Sequence, residues 1–336
     1  MTPAALDPTR AESHHFLVLP AEVSGEDVAA LAEAEFDDVT WLDPTQLQLT
    51  AEAQLAGPWL VDDEARRAFD LPGWAAHAFV VNCPVMRSEP VPPELLGTGD
   101  LLDAFPGGEP VGIEGRVVHH LLAQARRLGA ALRCAGSGAV LVPDPATAID
   151  LTIYTTVWLE PEACRELLRP VLGAVTGSWE TPTDEEPAPP PDVDITPAAL
   201  AQVEQARAAL DPGEREWLHA EAQALDEEML RHPQVLEGYA VVAELEDGVV
   251  QVAAAGEEYP PWILRHAPWA QHGVVSYEVR WYWHDDAPHR AGLAARRRRD
   301  EIRRLIESSV ATLYDSTNGV IVDDDGFLVA REHLLP

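Results

Sequence analysis

One pattern occurs twice in this chain, and it constrains the fold more than any other feature. Trp74-Ala75-Ala76-His77-Ala78-Phe79-Val80 returns as Trp269-Ala270-Gln271-His272-Gly273-Val274-Val275. Leu47-Gln48-Leu49 followed by Pro58-Trp59-Leu60 returns, at the same internal spacing, as Val250-Gln251-Val252 followed by Pro261-Trp262-Ile263. Gly138-Ala139-Val140-Leu141-Val142 returns as Gly319-Val320-Ile321-Val322-Asp323. The matches keep their order, so two related units are expected. The 336 residues agree with that, because a single core seldom grows past about 250–300 residues.

Each unit reads as strand, helix, hairpin, strand, helix, strand. In the first, Phe16–Leu19 is a continuous apolar run of strand length. Ser24 stands where a helix N-cap belongs, with Glu26 and Asp27 in the first turn. Val39–Leu42 and Leu47–Ala51 form a hairpin, Ala78–Asn82 a strand, Val117–Leu132 an amphipathic helix and Ala139–Val142 a closing strand. In the second, Leu151–Thr155 opens as a strand and Pro161 starts a helix to about Leu172. Tyr239–Leu245 and Val249–Ala253 flank Asp247-Gly248 as a hairpin. Val275–Trp283 is a strand, a helix runs from about Leu293 to Tyr314, and Gly319–Val322 closes the unit.

This order predicts an α+β protein: a tandem duplication of a ferredoxin-like, βαββαβ-related unit with antiparallel sheets and a helical insertion in the second repeat. The expected boundaries are an N-terminal tail over 1–12, a first repeat over 13–146 and a second over 147–336. Within the second, 173–236 holds an acidic Pro-rich linker and a helical insertion.

Charge narrows the function. There are 57 acidic residues against 23 basic ones, a formal net charge of −34, and every basic residue is Arg. Such a surface repels phosphate backbones and anionic lipid headgroups, so neither nucleic acid nor membrane is an expected partner. No apolar run approaches the ~20 residues of a membrane span. No signal peptide is visible. Cys83, Cys134 and Cys164 lack the spacing of a disulfide framework or a zinc motif, which fits a reducing cytoplasm. No phosphate-binding glycine loop, dinucleotide fingerprint, nucleophile elbow or His-Glu-x-x-His motif occurs.

Three groups of residues are candidates for chemistry. His77 and His272 occupy matching places, and a pair of imidazoles between two units can bind or move a proton. Alternatively, each anchors its own turn. Trp281, Trp283, His284 and Asp285 end a strand as an aromatic–acid cluster suited to a pocket, or as core face and turn. Arg296, Arg299 and Arg303 share a helical face that can dock an anion or acidic partner, or neutralise the chain's own acids. Asp323-Asp324-Asp325-Gly326 lacks calcium-loop spacing and reads as a turn. No metal or cofactor is expected.

The composition and the missing motifs favour a non-catalytic protein-interaction or regulatory protein of immunity type, acting as a monomer or small homo-oligomer. Its acidity steers it towards a partner with a basic surface. The alternative is a small-molecule enzyme or binder with a pocket between the two repeats.

Overall fold

The computed structural model describes residues 4–97, 101–178, 238–284 and 293–334, the side chains of 146 and 293–296 excepted. The fold is mixed α+β, with seven α-helices among the described residues and two antiparallel sheets of seven strands each. The first half runs α1 (Pro8–Ala11), β1 (Phe16–Leu19), α2 (Gly25–Ala32), β2 (Thr40–Asp43), β3 (Gln46–Gln48), β4 (Gln54–Leu60), α3 (Asp63–Ala68), β5 (His77–Asn82), α4 (Leu101–Ala104), α5 (Gly112–Leu128), β6 (Ala131–Arg133), β7 (Val140–Leu141). The second runs β8 (Leu151–Thr155), α6 (Pro161–Leu172), β9 (Thr176–Gly177), β10 (Gly238–Leu245), β11 (Gly248–Glu257), β12 (Val274–Trp283), α7 (Leu293–Thr317), β13 (Val320–Asp323), β14 (Leu328–Val329).

The two sheets share one strand order. The first is β2-β3-β4-β5-β1-β6-β7 and the second, read from its far edge, is β9-β10-β11-β12-β8-β13-β14. Register makes the correspondence residue by residue. Leu17 pairs with both Phe79 and Leu132. Ile153 pairs with both Tyr277 and Ile321. All six point into the helix-covered core of their own sheet.

The segments Trp74–Val80 and Trp269–Val275 run into the counterpart strands β5 and β12, but other repeated segments do not follow this correspondence. Leu47-Gln48-Leu49 lies on and just past β3, while Val250-Gln251-Val252 lies on β11, the counterpart of β4. Gly138–Val142 contains edge strand β7, whereas Gly319–Asp323 contains β13, which pairs directly with the central strand. Strand residues alternate with period two and draw on few residue types, so short apolar segments match across non-equivalent strands.

Burial explains the local patterns. All four residues of β1 are buried, because α2 and α5 cover one face of the first sheet and α1 and α3 the other. β11 and β12 alternate instead: Val250, Val252, Tyr277, Val279 and Trp281 face α6 and α7, with Gln251, Glu278 and Arg280 opposite. Fully burying such a side chain contributes about 1.5–3 kcal/mol. Ser24 caps α2 in a reciprocal capping box with Asp27, and Pro161 opens α6 as expected.

Four expectations need correction. Residues 5–11 are no tail: Ala5 bridges Leu60, and Leu6 and Ala11 are buried on the outer face of the first sheet. The long helix stops at Leu128, with Gly129 at φ 62 as its left-handed cap; Leu132 belongs to β6. Thr176–Gly177, placed in the insertion, is an edge strand on β10. The β10–β11 turn is Glu246-Asp247, since Leu245 pairs with Gly248. Gly248 is there for space: a Cβ would lie 2.2 Å from the Tyr282 carbonyl oxygen and 2.5 Å from the Trp281 ring. The helices expected at 197–210 and 212–230 lie outside the described residues. Among the described residues no helix is long and apolar enough to cross a membrane.

Candidate functional site

The residues singled out in the sequence are dispersed. His77 sits on β5 between Leu19 and Leu60, half-buried, with its Nδ1 buried and without a hydrogen-bond partner. His272 is exposed ahead of β12, in the other sheet. Trp281 and Trp283 pack edge to face at 5.2 Å between ring centroids and belong to the second core. His284 is exposed and its Nε2 lies 3.1 Å from Glu244. Asp285 lies outside the described residues, as does the Arg296 side chain.

The arginine stripe is engaged within the chain. Arg299 lies 3.2 Å from Asp144, Arg303 lies 2.6 Å from Glu307, and Arg298 contacts Asp247 at 2.8 Å and Glu301 at 3.0 Å. Asp323-Asp324-Asp325-Gly326 is indeed a turn. The Asp323 carboxylate accepts from the backbone N–H groups of Asp325 and Phe327, and Gly326 takes φ 82.

Two buried polar arrangements were not visible in the sequence. The first joins segments far apart in the chain. Glu114, fully buried in the first turn of α5, accepts from His15 Nε2 at 2.9 Å, from Arg87 at 2.7 Å and from the Met86 N–H at 2.6 Å. The Ala135 N–H donates to His15 Nδ1, so the imidazole proton sits on Nε2. Burial lowers the His15 pKa despite Glu114 beside it, keeping the ring neutral. The helix N-terminus favours the Glu114 carboxylate. Nearby thiols are poor nucleophiles: burial pushes Cys83 up to about 11 and Cys134 up to about 12. The arrangement clamps the loop after β5 onto α5 and β1.

The second lies between the halves. A cavity of about 250 Å³ is lined by Glu35 and His120 from the first half and by Tyr154, Trp262, Glu278, Arg280, Asp323, Asp324, Asp325 and Phe327 from the second. Arginines hold its walls together. Arg126 reaches Asp325 at 2.5 Å and Arg127 reaches Asp323 at 3.1 Å. Arg116 holds Glu35 at 2.6 Å. Arg265 bonds Asp37 at 2.5 Å and the Glu33 carbonyl at 3.1 Å, with its guanidinium over Trp262. Asp324 is exposed, and no ion pair or hydrogen bond to its side chain is found among the described residues.

His120 is only 7% exposed and lies edge to face with Phe36 and Phe327. Gln124 Nε2 donates to the Val28 carbonyl at 3.0 Å and to His120 Nε2 at 2.8 Å. The carbonyl fixes the amide orientation, so His120 carries its proton on Nδ1. Burial, and then Arg116, lower its pKa to about 4. Burial raises Asp325 to about 6 against the pull of Arg126, and raises Asp323 and Tyr154 as well. The cleft is therefore acidic, part aromatic and built around a neutral histidine. Among the described residues no group of three or more His, Cys, Asp or Glu could hold a metal ion. No family model, curated protein or solved structure matches the chain.

Proposed function

We propose that this chain is a non-catalytic interaction protein, regulatory or immunity-like, that binds a partner through a basic surface. One observation carries the reading: among the described residues most arginines are paired with the chain's own carboxylates, and over the whole sequence the acids far outnumber the arginines. Arg66, Arg87, Arg116, Arg126, Arg127, Arg265, Arg280, Arg298, Arg299, Arg303 and Arg331 each lie within ion-pair distance of a carboxylate of the same chain. With no Lys and a net charge of −34, the remaining surface offers acceptors to whatever approaches. A basic protein is attracted at long range and its association is accelerated. The acidic turns around the cleft, with Tyr259 81% exposed and Trp262 half-exposed, are where it docks. Nucleic acid is repelled by the same field.

The fold reading supports a preformed binder. The central strands β6-β1-β5-β4 and β13-β8-β12-β11 each follow the ferredoxin-like order, extended by edge strands. We take the chain as a fused duplication of that unit, acting in the cytoplasm, where its three free thiols stay reduced. The test is affinity capture with the intact chain as bait at low and high salt. A basic protein should be retained in stoichiometric amount at low salt and lost with Glu35→Lys combined with Asp324→Lys. Capture of nothing, or of a protein indifferent to those substitutions, contradicts the reading.

A further inference from the structure

We infer that the outer face of the first sheet carries a binding site for a small, neutral, planar molecule bearing a primary amide. The site is independent of any protein that docks at the cleft. Its frame is a cavity of about 290 Å³ between α1 and the outer faces of β4 and β5. Ala56, Trp59 and Val80 give it apolar walls. Trp59 belongs to the repeated Pro-Trp-apolar segment, and each copy of that segment places its Trp on the lining of a cavity. The two copies differ in what already covers the ring. Arg265 lies over Trp262, whereas among the described residues no other ring or guanidinium stacks on Trp59. A half-buried indole beside small aliphatic side chains favours a flat ring, since aromatic pairs gain more than the area they bury.

Polar groups on the same lining set the rest of the requirement. His14 donates from Nδ1 to the Val81 carbonyl at 3.1 Å. A carbonyl only accepts, so the proton sits on Nδ1 and the neutral ring offers Nε2 as an acceptor. That carbonyl belongs to the peptide leading into Asn82, which makes the imidazole and the Asn82 amide neighbours on the cavity lining. Neither Nε2 nor the Asn82 amide has a hydrogen-bond partner among the described residues. Together they present two acceptors and one N–H₂ donor. A primary amide complements that set. Its two N–H groups donate to His14 Nε2 and to the Asn82 side-chain oxygen, and its own oxygen accepts from the Asn82 amide. Charge selects against ions. Asp7 and Arg10, the charged residues of the lining, lie 3.5 Å apart and offset each other. A cation therefore finds no unopposed carboxylate, and an anion meets the field of a chain at −34.

Ligand-observed NMR titrations of the full chain test this with three probes. Benzamide has the ring and both N–H groups, N,N-dimethylbenzamide keeps the ring and the carbonyl without any N–H, and benzoate is anionic. One saturable site is expected for benzamide, with a Kd on the order of 1 mM for so small a ligand and the other two probes at least ~5-fold weaker. Asn82→Ala, at an exposed position, should weaken benzamide at least ~5-fold and bring it level with N,N-dimethylbenzamide. Ala56→Leu narrows the cavity from its wall and should abolish benzamide binding, with the fold checked by circular dichroism. Asn82→Ala alone keeps the test decisive if Ala56→Leu disturbs the fold. Absent or unsaturable binding, benzoate as tight as benzamide, or benzamide affinity unchanged by Asn82→Ala would overturn the proposal.

Discussion

At the scale of single residues, stability rests on where charge is buried. Glu114 is anchored by Arg87, His15 and a backbone N–H, and losing one partner of such a buried pair costs about 3–5 kcal/mol. Glu114→Gln should therefore lower stability by about 3 kcal/mol in urea unfolding. Asp150 behaves in the opposite way. Burial raises its pKa to about 6, although its Oδ1 accepts from the Trp281 N–H at 3.0 Å. A carboxyl with a raised folded pKa favours the folded state when protonated, and that contribution is lost as pH climbs from about 4 to about 6. Asp150→Asn, which keeps the acceptor, should stabilise by about 1–2 kcal/mol at pH 7 and by nothing below about pH 4. His120 has the reverse sign. Its pKa of about 4 lies below the unfolded value, so its contribution is complete above about pH 6.5 and is lost as pH falls towards 4. His120→Phe should flatten that acid limb of the stability curve.

At the scale of elements, close approach and register decide what is tolerated. Gly248→Ala forces a Cβ into the Tyr282 carbonyl and the Trp281 ring, so the β10–β11–β12 ladder has to shift. A loss of about 2 kcal/mol or more is expected, read as a lower Tm with protection from hydrogen exchange lost first in β11. The same elements show what was legible in advance. Leu151–Thr155 and the helix from Pro161 to Leu172 were readable because a periodic apolar pattern and a helix-start signal coincide there. β4 was not among the expected strands, because Gly57, Pro58 and Trp59 break its alternation at a register shift. β6 was absorbed into the preceding helix because Leu128 and Leu132 also fit helical spacing. The candidate site was less legible. His120 was not singled out, because its setting depends on Phe36 and Phe327, which only tertiary packing brings to it. His77 and His272 matched in sequence but were carried into different sheets.

At the scale of the molecule, a net charge of −34 works against compactness, and the junction between halves is where that repulsion is opposed. Arg126, Arg127 and Arg265 each cross from one half to a carboxylate of the other. Raising ionic strength from about 10 mM to about 0.5 M should raise Tm by several degrees, because the Debye length falls from about 30 Å to a few ångströms and screening relieves the repulsion. Arg126→Gln with Arg127→Gln should enlarge that salt dependence, since Asp325 and Asp323 are then left unopposed on one turn of the cleft wall. The same charge underlies the interaction reading, which is the central claim. The direct measurement is native mass spectrometry of the chain purified gently from its own host. The account predicts a stoichiometric complex with a second, basic protein that dissociates as salt is raised. A chain that emerges alone, or with an acidic partner held independently of salt, would contradict it.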